Sequence, residues 1–118
     1  MKFKDFESLR KNDDFQRVYK GRNTKADAFL VVYTRENTLD TNRLGISVSK
    51  KIGNSVVRHR LTRIVREAFR INARSFKKGF DIVAVIREPL KGKNLDAAER
   101  SLLKLLGKHG IVVNKSSM

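Results

Sequence analysis

The chain has 118 residues, 40% of them hydrophobic, enough for a single domain spanning residues 1–118 with a real core and too few for two. Its 27 Lys and Arg against 12 Asp and Glu give a formal charge of +15, which makes nucleic acid the leading partner and an anionic membrane surface the weaker one. Zero cysteines exclude disulfides, thiolate chemistry and cysteine-based zinc sites. No apolar run approaches the ~18 residues of a membrane span, and acids interrupt the opening MKFKDFESLRKNDDF where a signal peptide needs an apolar stretch, so the chain reads as cytoplasmic.

Asn12, Asp13 and Asp14, with Gly21 as a stop, bracket a short first helix whose acids suit its positive N-terminal end. Phe15, Val18 and Tyr19 share its inner side. FLVVYT, residues 29–34, is rich in β-branched and aromatic side chains, and RLGISVS, residues 43–49, follows the polar segment ENTLDTN. The two read as an antiparallel hairpin. In the second strand Leu44, Ile46 and Val48 alternate with Gly45, Ser47 and Ser49, so one face is apolar and the other leaves room for something to lie on it.

A long helix comes next, with Asn54 or Ser55 as its cap. With Val57 at zero on a helical wheel, Leu61, Ile64, Ala68 and Ile71 fall within about 40° and form the predicted core face. His59, Arg63, Arg66, Arg70 and Arg74 fall between about 180° and 260° and form a cationic ridge, with Arg58 and Arg60 flanking the apolar face. From Lys50 to Arg74 the only acid is Glu67. A solubilising face normally alternates signs, whereas like charges at this density are best tolerated when a polyanion neutralises them. Lys50 and Lys51 beside the Gly53–Asn54 turn fit either a solvated turn or phosphate contact.

DIVAVIR, residues 81–87, reads as a buried strand ended by Pro89, and the long helix joining two strands implies a crossover and a parallel pair. Asp96 opens a last helix packed through Leu102, Leu103, Leu105 and Leu106, stopped by Gly107 and Gly110. The terminal NKSSM reads as frayed. No metal-ligand cluster is evident, and His59 and His109 lack the neighbours of a nucleophile–base pair. Asp13 and Asp14 diverge on a helix and suit capping, and Glu67 suits an intrahelical partner such as Arg63 or Arg70.

LRKNDDFQRVYKGR, RLGISVSKKIGNSVVRHRLTRIVREAFR and DIVAVIR together resemble the opening helix, the signature strand and helix, and the last strand of the protein component of bacterial ribonuclease P, from about Leu9 to Leu106. Where the family has Arg-Asn-Arg this chain has Arg58-His59-Arg60, and Thr62 stands where Lys is common. The resemblance implies an α/β (α+β) two-layer sandwich like ribosomal-protein S5 domain 2, with a four-stranded mixed sheet. It also implies a left-handed β-α-β crossover, against the generic right-handed preference.

The same resemblance implies a subunit of an endoribonuclease whose catalyst is an RNA that removes the 5′ leader of precursor tRNA with Mg²⁺, itself bound mainly by that RNA. The protein then has no catalytic residue and no metal site, and its partners are the catalytic RNA and precursor tRNA. Mapped by motif, RNA-binding positions are Lys50, Lys51, Asn54, Arg58, His59, Arg60, Arg63, Arg66 and Arg70, and the leader cleft is Phe15, Tyr19, Tyr33 and Thr62, with His59 and Arg66 beside it. Core packing is the competing reading of Phe15 and Tyr19. A structural RNA-binding protein of related fold, such as a ribosomal protein, is the rival function, and a protein-only nuclease would need converging carboxylates or histidines.

Overall fold

The computed structural model describes residues 5–113, so the expectation for NKSSM lies outside the described residues. In chain order the elements are β1 (Phe6–Ser8), α1 (Asn12–Lys20), β2 (Thr24–Ala26), β3 (Leu30–Glu36), β4 (Asn42–Ser47), α2 (Ser55–Asn72), β5 (Phe80–Ile86) and α3 (Leu95–Lys108). The strands form one mixed sheet in the order β1-β4-β5-β3-β2.

β5 holds the centre because its sequence, FDIVAVI, is apolar on both sides, and Ile82, Val83 and Ala84 are fully buried. It runs parallel to β4, with Leu44 opposite Ile82, and antiparallel to β3, with Val32 opposite Ala84. The expected hairpin is therefore corrected: β3 and β4 run in opposite directions, but β5 lies between them. The segment between β3 and β4 instead bridges the start of β5, where Asn37 N–H donates to Gly79 O at 2.9 Å and Asn37 Nδ2 donates to Asp81 Oδ1 at 2.9 Å. The expected crossover is present, since α2 connects the parallel neighbours β4 and β5.

The sheet has five strands where four were expected. β1 and β2 are three-residue edges, FES and TKA, too short to show a period. The mixed α+β architecture holds, but the helices cover both sheet faces rather than one. Leu30, Val32, Leu44, Ile82 and Ala84 point towards α2 and α3, while Val83, Val85 and Tyr33 pack with Val18, Phe15 and Tyr19 of α1.

In α2 the cap is Asn54, whose Oδ1 accepts from Val57 N–H at 3.0 Å. The buried face is rotated from the predicted one: Val65 and Phe69 are fully buried, whereas Ile71 is 45% exposed. Phe69 meets Phe6 of β1 edge-on at 4.8 Å and Phe76 at 4.9 Å, so chain that arrives from elsewhere covers this flank. α3 starts one residue before Asp96, capped by Asn94, and runs through Gly107 to stop before Gly110, whose φ is 77°. α1 has Lys11 at its cap with no side-chain bond; Asp14 instead pairs with Arg17 at 2.6 Å and Arg43 at 3.5 Å.

Two polar clusters lock the frame. Arg43 grips Asp81 with two hydrogen bonds of 2.7 and 2.6 Å, which raises the Arg43 guanidinium above its ordinary range. Asp27, before β3, accepts from the N–H groups of Phe29 and Leu30, from Ser101 Oγ and from Lys104 Nζ. Burial pushes the Asp27 carboxyl up, but these donors outweigh it and hold it below the ordinary value, tying α3 to the sheet.

Candidate nucleic-acid interface

On the α1 face, residues paired across the sheet form rows. Gly45, Val83, Tyr33 and Thr24 stand in one, and Ser47, Val85, Val31 and Ala26 in the next. α1 lies on the first row through Phe15, which sits so close to Gly45 that a Cβ there would be 2.5 Å from the ring. The small face read from Gly45, Ser47 and Ser49 is thus partly filled by the protein's own aromatic ring. Tyr19 meets Tyr33 edge-on at 4.9 Å and lies 6.4 Å from Phe15, giving a continuous aromatic wall.

Beside this wall is an open cleft of about 440 Å³, lined by Phe15, Tyr19, Arg10 and Asn12 from the α1 segment and by Ile46, Ser47 and Val48 from the end of β4. Aromatic faces, hydroxyl groups and a nearby guanidinium suit unpaired nucleotides. Sequence reasoning placed Phe15 and Tyr19 here. Tyr33 supports the wall from β3 without lining the cleft. Arg10, Asn12 and Ser47 were not singled out, although the alternation in β4 had marked Ser47's face as small and polar. Thr62 and Arg66 sit on α2, half-buried and exposed respectively, and neither lines this cleft.

The cationic ridge of α2 divides by what each side chain already holds. Arg58 Nε donates to Gly53 O at 3.1 Å, Arg60 Nη2 donates to Lys93 O at 2.8 Å, and Arg70 makes two bonds to Glu67 at 2.8 and 2.6 Å. The Arg70 hydrogen bonds hold the Glu67 carboxyl below its ordinary value and raise the Arg70 guanidinium. Of the partners considered for Glu67, Arg70 is the one it has. Arg63 and Arg66 are exposed and make no ion pair among the described residues.

Lys50 and Lys51 project from a single 3₁₀ turn, Lys50–Ile52, stabilised by Ser49 Oγ accepting from Lys51 N–H at 3.1 Å. Gly53 follows, and a Cβ there would stand 2.9 Å from Val57 Cγ1, so a larger residue would have to displace Val57. Asn54 spends its carbonyl oxygen on the helix cap, leaving its NH₂ as the group able to reach a ligand. His59 does not line the aromatic cleft and borders a separate groove with Arg60, Arg63 and Leu95.

His109 is absorbed by the fold. Its Nε2 lies 2.8 Å from Val32 O and its Nδ1 3.2 Å from Thr34 Oγ1, which in turn accepts from Asn23 Nδ2 at 3.0 Å. These contacts suit a neutral ring that donates from Nε2 and accepts at Nδ1.

Residues 3–110 match the family model for Ribonuclease P. The ribonuclease P protein component of Lachnoclostridium phytofermentans is 47% identical over 106 residues, covering 90% of this chain and 91% of that one. The RNase P protein structure from Staphylococcus aureus superposes with a TM-score of 0.81 at 38% identity, covering 89% of this chain and 96% of the other. The structure from Thermotoga maritima gives 0.79 at 37%, covering 86% and 96%. Sequence and fold agree over nearly the full length of both partners, so the chain belongs to the ribonuclease P protein family, the protein subunit of the bacterial endoribonuclease whose catalyst is RNA.

Proposed function

We propose that residues 1–118 act as one cytoplasmic RNA-binding domain that holds the unpaired 5′ leader of precursor tRNA in the α1-side cleft while α2 contacts the RNA subunit. The observation that carries this reading is the separation of chemistries: the aromatic wall of Phe15, Tyr19 and Tyr33 lies on the α1 side of the sheet, and the arginine ridge lies on a helix packed against the opposite side. Stacking on aromatic faces tolerates any base, which suits leaders of differing sequence. Arg63, Arg66, Lys50 and Lys51 supply charge for backbone phosphates, and each phosphate neutralised releases counterions. His59, Arg58, Arg60, Arg70, Asn54 and Thr62 complete the RNA-facing set in this reading, several of them as shape-holding residues.

Cleavage in this reading is carried out by the RNA, with Mg²⁺ bound mainly by RNA phosphates. Supporting this, Asp14 and Asp81, the two carboxylates that converge on Arg43, are engaged by arginine hydrogen bonds and ion pairs. The test compares precursor with mature tRNA on holoenzyme assembled with the RNA subunit. Tyr19→Ala is expected to weaken precursor binding by about 1 to 3 kcal/mol as a stacking ring is removed, Tyr33→Ala to weaken it less by taking away the edge-on support of Tyr19, and both to leave mature tRNA unaffected. Equal weakening of both, in folded variants, would overturn the leader assignment.

A further inference from the structure

The groove between the N-terminal half of α2 and the first turn of α3 is separate from the aromatic cleft and takes His59 and Arg63 of the ridge as part of its rim. It encloses about 470 Å³, with an apolar floor of Val56, Ile64 and Leu95 and a rim of His59, Arg60 and Arg63. Val56 is 76% exposed, the most exposed large hydrophobic side chain among the described residues. Arg60 is fixed over one wall by its bond to Lys93 O at 2.8 Å. Glu67, the acid on the lining, is masked by Arg70 through two bonds of 2.8 and 2.6 Å. The rim therefore presents cationic groups over an apolar floor.

A flat neutral ring with an anionic phosphate attached to its sugar fits this combination, and a solvated phosphate backbone alone does not, since it has no use for the floor. We propose that the groove receives one unstacked nucleobase of the RNA subunit, seated on Val56, Ile64 and Leu95, with its flanking phosphate held by Arg63 and its edge reached by His59. Aliphatic side chains contact base faces through burial of apolar area, and the guanidinium plane of Arg60 adds a stacking surface. This rests on the proposal that α2 faces the RNA subunit. It adds a contact to a base, which reads RNA shape, to a surface otherwise suited to charge alone.

The experiment measures equilibrium binding of the full chain to the full-length RNA subunit transcript over a range of salt, together with chemical probing of unpaired bases. Val56→Ser removes apolar floor without altering charge, and its exposure and place in the first helical turn favour retention of the fold. Expected are a loss of affinity of about fivefold, an unchanged log-log salt slope, and the disappearance of protection at one unpaired base while the rest of the footprint persists. Val56→Leu should retain both affinity and protection. Arg63→Gln should instead flatten the slope.

Protection of ribose and phosphate positions by α2 without any base that responds to Val56→Ser would overturn the nucleobase proposal and leave the α2 assignment standing. Absence of any footprint that responds to Arg63 or Val56 would overturn both. Unchanged RNA binding with Val56→Ser, accompanied by abolished binding of an acidic protein partner, would reassign the groove to protein docking and overturn the proposal.

Discussion

Phe15 lies across Gly45 so tightly that a single added carbon on Gly45 would stand 2.5 Å from Phe15 Cζ and 2.8 Å from Cε2. Gly45→Ala must displace the ring, and since Phe15 is only half-buried its way out leads into the cleft. Stability is expected to fall by about 1 to 3 kcal/mol, as for overpacking in a core. Precursor tRNA binding should weaken while affinity for the RNA subunit holds. Urea unfolding and paired binding measurements check this, and unchanged stability would show that the ring relaxes freely.

Arg43→Met should be costly in a way that ordinary surface arginines are not. It would leave the Asp81 carboxylate, 8% exposed, with Asn37 as its remaining hydrogen-bond donor. The expected destabilisation is about 2 to 4 kcal/mol, below the figure for a wholly buried pair because the Arg43 side chain is 25% exposed. A double-mutant cycle with Asp81→Asn should give a coupling above about 1 kcal/mol. A coupling near zero would mean that water replaces the arginine.

Salt dependence should separate free from occupied arginines on α2. Arg63→Gln with Arg66→Gln is expected to reduce the log-log slope for RNA binding by roughly 0.7 to 0.9 for each phosphate that is no longer neutralised. Glu67→Gln with Arg70→Gln should alter it little, because it removes a pair that is already neutral as a unit. If the second double variant flattens the slope as much as the first, Arg70 leaves Glu67 on binding RNA.

His109 should make stability depend on pH. Burial lowers its affinity for a proton below the ordinary value of 6.5, opposed by the hydrogen bond to Val32 and reinforced by Lys25. Just below pH 6.5 the unfolded chain then binds a proton that the folded chain lacks, so stability is complete above this range and falls as pH drops towards the folded value. His109→Gln should remove that part of the slope, read as urea midpoints between about pH 5 and 7. A slope that persists in full would assign it to other groups.

Sequence carried further for the surfaces than for the sheet. The basic ridge was legible because charge pattern survives without knowledge of tertiary neighbours, and the cap at Asn54 was one of two candidates named. The engagement of Arg58 and Arg60 was not legible, because their partners are backbone carbonyls of Gly53 and Lys93, and carbonyls have no sequence signature. The rotation of α2 escaped the wheel because Phe6 and Phe76, one of them distant in sequence, cover Phe69. The false hairpin came from proximity along the chain, the usual guide to pairing, which fails when a more apolar strand made later takes the middle.

That late strand has a consequence for synthesis on the ribosome. Until residues 80–86 have emerged, β3 and β4 have no common neighbour to join them, and the floor contributed by Val83 and Val85 beneath Tyr19 and Tyr33 does not exist. Pairings of such long sequence separation close slowly, because the intervening loop must be ordered before the pairing rewards it. A nascent chain thus displays the arginines of α2 before its aromatic cleft is complete. On the proposed reading, its earliest encounters with RNA are governed by charge alone, and selective holding of an unpaired strand begins when β5 has inserted.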